Sequence, residues 1–137
     1  MPNSTEAGSP QAVRSSPIRT AVGSVMGWLA GYLVSLASSI VLFALAGIAA
    51  DKPPSVWVLL GVSLYCMVFG AIGGLIGSSF SRRHALGIGV AIALTHIAMA
   101  TRTWHAAPGQ SHWTELIAFL LISPSALFGA LLRRETN

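Results

Sequence analysis

The sequence predicts an all-α membrane protein, with four transmembrane helices in a compact bundle and both termini on the cytoplasmic side (N-in/C-in). Three observations carry that expectation. Hydrophobic residues make up 53% of the 137-residue chain and charged residues only 9%, where a soluble domain carries about 25% charged residues. The apolar residues fall into four long runs, each near or above the ~20 residues needed to cross a bilayer as a helix. No run shows the apolar/polar alternation of a membrane β-strand.

Residues 1–20 are polar and hold Pro2, Pro10 and Pro17 among Ser and Thr. They read as a disordered cytoplasmic tail. The apolar run that follows is longer than the ~7–15 residues of a signal-peptide core, so it reads as a span and not a cleavable leader.

The first helix is expected over residues 21–50, long enough that it must tilt or project beyond a hydrocarbon core of about 30 Å. Asp51, Lys52, Pro53 and Pro54 should end it. The second is expected over residues 55–79, with prolines just ahead of the first turn, where a missing N–H costs little. The third covers residues 85–103, after Ser81, Arg82 and Arg83. An outer loop, residues 104–112, contains Pro108 and Gly109. The fourth helix covers residues 113–132, and residues 133–137 form a short cytoplasmic tail.

Charge placement gives the orientation. If the spans alternate, Arg14, Arg19, Arg82, Arg83, Arg133 and Arg134 fall on one side and only Lys52 and Arg102 on the other. Basic residues favour the cytoplasmic side, which suits a multi-pass protein of the bacterial cytoplasmic (inner) membrane. Trp57, Trp104 and Trp113 then belong to the outer interface and Trp28 lies toward the inner one. The net charge of +4 is accounted for by these span ends. Nucleic acid is excluded as a partner, since the basic residues do not cluster on one soluble face.

Small residues recur at intervals of four. Gly23, Gly27, Gly31, Ser35 and Ser39 form one column on the first helix, and Gly70 with Gly74 and Gly73 with Gly77 form two on the second. Gly87 with Ala91 and Ser125 with Gly129 repeat the spacing on the third and fourth. Such columns let helix backbones approach closely. They serve either packing within this chain, the commoner use, or docking onto a second copy or a partner membrane protein.

His96 is the one conventionally ionisable side chain, Cys and Tyr aside, that lies deep in a span. Such residues are functional candidates. The commoner alternative is an imidazole hydrogen-bonded to a neighbouring helix. Ser123-Pro124-Ser125 interrupts the fourth helix at a similar depth. Pro124 has no N–H, so the Leu120 carbonyl loses its helical donor, and Ser123 or the His96 ring is the expected replacement. Ser35, Ser38, Ser39 and Tyr65 lie at similar depth, where they line a polar cavity or bond back to their own helices.

The chemistry of catalysis is thin. A single cysteine, Cys66, excludes an intrachain disulfide. His105, His112, Glu115 and Asp51 match no recognised metal-ligand spacing, so neither a metal nor a cofactor is expected. No phosphate loop, nucleophile elbow or zinc-protease motif occurs. The expected role is non-enzymatic: an accessory or complex subunit acting through helix packing in the lipid bilayer. The alternative is a small oligomeric channel or transporter lined by His96 and the mid-span serines.

Overall fold

The computed structural model describes residues 17–49, 52 and 54–135. Among them the chain is helical, with no strand. The principal elements are α1 (Pro17–Ala46), α2 (Val56–Ser79), α3 (Ala85–Ala106) and α4 (Trp113–Glu135). A 3-10 turn, Arg82–His84, leads into α3. All four long segments are apolar and long enough to cross a membrane.

Several boundaries differ from those that hydropathy suggests. Helix α1 begins at Pro17, so residues 17–20 belong to it and not to the tail; proline suits the first helical turn because its missing N–H would be unpaired there anyway. It ends at Ala46, before the Asp-Lys-Pro-Pro stretch. Gly47 takes φ +60°, the left-handed conformation that closes a helix and that glycine adopts at least cost. Helix α3 continues to Ala106 and α4 to Glu135, so Trp104, His105, Arg133 and Arg134 are helical. Most of residues 1–20, together with Asp51 and Pro53, lie outside the described residues.

Large apolar side chains cover the outside of the bundle. Leu45 is 83% exposed, Leu120 68% and Leu64 65%. A water-soluble bundle reverses this pattern by placing its polar face outward. The arrangement is compatible with a small multi-pass integral membrane protein, whose surroundings are as apolar as its core.

The packing of α2 organises the bundle. Gly27 and Gly31 of α1 face Gly77 and Gly73 of α2, so these two helices run antiparallel. A Cβ on Gly27 would collide with the Gly77 carbonyl, and one on Gly31 would lie 2.5 Å from the Gly73 carbonyl oxygen. On another face of α2, Gly70 meets the Ile122 backbone and Gly74, one turn on, meets that of Ala126, which fixes α4 parallel to α2; Gly129 packs on Ala71 in the same contact. Helix α3 seals the bundle between α1 and α4. Its Ile88 and Ile92 reach the α1–α2 glycine crossing, and Gly89 packs on Ala130. Ile92 and Ala126 are fully buried in this layer, with Trp28 beside them.

A second apolar layer lies toward the α1–α2 and α3–α4 loops and joins Val62, Cys66, Trp113, Ile117 and Ile122. Trp113 is only 7% exposed and packs on Phe43, with ring centroids 5.8 Å apart. It is a core residue and not an interfacial anchor. Trp57, in contrast, is 82% exposed.

These contacts separate two kinds of glycine. Gly74→Ala drives a methyl into the Ala126 backbone, and overpacking of a tight core costs about 1–3 kcal/mol. A methyl added at Gly61 would meet nothing within 4 Å, and exchanging a helical glycine for alanine favours the helix by about 1 kcal/mol. Gly74→Ala should therefore lower the thermal midpoint in detergent while Gly61→Ala leaves it equal or higher. Equal loss in both variants would refute the assigned packing.

Candidate functional site

Two cavities lie along the α1–α3 seam, back to back. Helices α1 and α3 run parallel and touch at mid-length. At the contact, the Trp28 indole N–H donates to Thr95 Oγ1 at 2.9 Å. The Tyr32 ring meets His96 edge-on, with centroids 5.1 Å apart. This four-residue floor holds one cavity apart from the other.

The cavity toward the α3–α4 loop has a volume of about 420 Å³. All four helices contribute. Tyr32, Leu36, Ser39 and Phe43 come from α1, Val62 and Cys66 from α2, and His96, Met99, Ala100 and Thr103 from α3. Helix α4 adds Thr114, Glu115, Ile117, Ala118 and Ile122. His96, twelfth of the 22 residues of α3, lies at the deep end. Glu115 lies near the loop, in the first turn of α4.

Most of the wall is apolar, and the direction of its polar groups is uniform. Ser39 donates its hydroxyl proton to the Ser35 carbonyl at 2.9 Å. Thr103 donates to backbone carbonyls one turn back, at Met99 and Ala100. Thr114 donates to Glu115 Oε2 at 2.7 Å. His96 Nδ1 lies 2.9 Å from the Ile92 carbonyl oxygen. A carbonyl can only accept, so that nitrogen carries the proton and Nε2 of the neutral ring is an acceptor. Apart from the Tyr32 phenol, the polar groups lining this cavity offer acceptor lone pairs. Glu115 adds a carboxylate, with His112 Nδ1 at 3.9 Å and the His112 ring stacked on Trp104 at 4.1 Å.

The other cavity, about 650 Å³, opens at the end that carries Pro17 of α1 and the Arg82–His84 turn. Its walls are Thr20, Ala21, Ser24, Val25 and Trp28 of α1 against Gly87, Ile88 and Ala91 of α3, and Arg83 and His84 stand at its rim.

The residues singled out from sequence are distributed unevenly over these features. His96 and Ser39 line the loop-side cavity. Ser35 is buried in the α1–α2 contact and bonds to the Gly31 carbonyl at 3.1 Å. Ser38 donates to the Ser35 carbonyl, and its own carbonyl accepts from Tyr65 at 3.2 Å. The mid-span serines thus bond to their own helix, as helical serines commonly do.

Ser123 and Pro124 line neither cavity. The chain accommodates Pro124 by widening α4 into a π turn over Ala118–Ile122. Both the N–H and the hydroxyl of Ser123 reach the Ala118 carbonyl, the hydroxyl at 2.8 Å. The Ser123 proton therefore does not serve the Leu120 carbonyl, and the His96 Nδ1 proton goes to its own helix. The local rewinding replaces the expected cross-helix bond; π turns are a common answer to a disrupted helical ladder.

Gly23, Gly27 and Gly31 face α2 or the turn that follows it, Gly77 faces α1, and Gly70 and Gly74 face α4. No group of three His, Cys, Asp or Glu side chains stands close enough to hold a metal among the described residues. The Trp28–Thr95 bond and the position of Glu115 relative to His96 had no signal in the sequence beyond the presence of the residues.

No protein-family model matches this chain, and neither a curated protein nor a solved structure matches it.

The Trp28–Thr95 bond can be measured directly. In a double-mutant cycle of Trp28→Phe and Thr95→Val in detergent, the pair should show a coupling of about 0.6 kcal/mol, typical of hydrogen bonds between membrane helices. Strict additivity would mean that the bond contributes nothing to holding α1 on α3.

Proposed function

We propose that this chain is a multi-pass protein of a bacterial inner membrane, with both termini cytoplasmic, that binds a small amphipathic molecule in the loop-side cavity. The ligand class is a hydrogen-bond donor, foremost an organic ammonium. The carrying observation is the uniform polarity of that cavity. Apart from the Tyr32 phenol, its hydroxyls spend their protons on backbone or on Glu115, so a ligand meets acceptors at His96 Nε2 and Glu115 between apolar walls. Burial of the apolar body supplies affinity, and a few placed polar groups set orientation, as in most small-molecule sites.

Binding of a small molecule is favoured over an accessory role in a larger complex. The glycine columns of α1 and α2 that would serve docking are closed inside the bundle, which leaves that reading without its main surface. No covalent chemistry is assigned to the chain.

Two measurements test this. Equilibrium dialysis of phenethylammonium, which carries three N–H donors, against the detergent-solubilised protein should show saturable binding that Glu115→Gln weakens at least about tenfold. Such a loss corresponds to about 1.4 kcal/mol, in the range for a charge-assisted contact. Ala118→Phe should block the cavity and Ser35→Ala should leave binding intact; no saturable binding by the wild-type protein would overturn the proposal. For orientation, Gln110→Cys and Glu135→Cys are placed separately in a Cys66→Ala background. An impermeant thiol reagent should label the first in intact cells and the second only after lysis.

A further inference from the structure

The cavity at the other end of the seam has the opposite polarity, and we infer that it holds one anionic phospholipid, its phosphate against Arg83 and His84 and an acyl chain along Val25, Trp28 and Ile88. A local conflict at the rim calls for an anion. Arg82, Arg83 and His84 directly precede the first turn of α3. A helix N-terminus carries a partial positive charge equivalent to about half a unit, so basic side chains there are placed against the helix dipole. No acidic residue lies in that first turn, and Arg83 and His84 are the two basic residues that line the cavity. An anion satisfies both the dipole and the side chains.

The shape of the cavity then selects the kind of anion. A free phosphate needs only the rim. Here the rim leads into a crevice of about 650 Å³, whose deeper wall is apolar and which ends on the Trp28 ring. Ser24, the hydroxyl partway down, donates to the Thr20 carbonyl at 3.0 Å and leaves no proton pointing at a second polar group. A basic rim over an apolar slot open along the side of the bundle matches a headgroup phosphate with its chain. Arg and Lys beside an anionic leaflet each strengthen binding by about fivefold. The lipid site is independent of the ammonium site, since no residue is shared between the two cavities.

Native mass spectrometry of the delipidated full-length protein, titrated with phosphatidylglycerol or phosphatidylcholine, tests it. Phosphatidylglycerol should bind at least about fivefold more tightly, and Arg83→Gln with His84→Gln should remove that preference. Arg134→Gln, an exposed arginine outside the cavity, serves as the control for general basicity and should change nothing. Phosphatidylglycerol with brominated chains should quench tryptophan emission, and Trp28→Phe should abolish most of that quenching. Glu115→Gln should leave both readouts unchanged, which keeps failure here distinguishable from failure of the ammonium site. Equal affinity for the two lipids, an Arg134→Gln effect as large as that of the Arg83/His84 pair, or displacement of the lipid by millimolar inorganic phosphate would each overturn the assignment. Should the double variant fold poorly, the Trp28 quenching and the lipid preference of the wild-type protein still decide the question.

Discussion

The bundle depends on the absence of side chains where α2 crosses α1 and α4. In an apolar solvent, burying apolar surface gives helices little reason to associate, because lipid is as apolar as leucine. Association must come from close contact, and close contact requires that backbones meet. Gly27 and Gly31 against Gly77 and Gly73 provide it on one face of α2, and Gly74 and Gly129 against Ala126 and Ala71 provide it on another. Isoleucines 88 and 92 of α3 then fill the notch at the first crossing.

The two cavities follow from this arrangement. Helix α1 is held principally by α2 and α3, and α4 principally by α2 and α3. Beyond the Phe43–Trp113 ring contact, α1 and α4 lack an extensive contact of their own, and the loop-side cavity is bounded by residues of all four helices. Parallel helices α1 and α3 meet where Ile88 and Ile92 reach Gly27 and Gly31, where Trp28 bonds Thr95 and where Tyr32 touches His96. The same four residues that close the bundle also divide its internal space. A polar pair such as Trp28–Thr95 suits that place because its members satisfy each other away from water.

Polarity separates the cavities. On the loop side, hydroxyls turned back to their own helix leave lone pairs facing inward, and a carboxylate stands near the entrance. On the other side, guanidinium and imidazole groups crown an apolar slot. Both patterns arise from local rules: Ser and Thr bond to the carbonyl one turn earlier, and arginines gather at one set of span ends. The functional readings rest on how the fold brings these local outcomes together. His96 illustrates the point. Its position midway along α3 marks it as unusual, but only its contacts show that Nδ1 is committed to Ile92 and that the ring closes against Tyr32.

Much of the architecture was legible in the chain itself. Four runs of apolar residues require four helices, since backbone polar groups in such segments must bond internally. The interval of four between small residues put them on helix faces, and the uneven arginines, once the spans are taken to alternate, gave the expected orientation. Periodicity does not say which face meets which helix. For that reason it could not distinguish a glycine column closed inside the chain from one offered to a partner, and three-dimensional packing placed the glycine columns of α1 and α2 inside. Nor could it foresee that α4 absorbs Pro124 through a π turn, because a missing N–H has both local and distant remedies and the choice depends on the neighbours. Sequence determined which residues face a crossing or end a span; tertiary structure decided which polar groups remain open to a ligand, because that depends on where each proton is already spent.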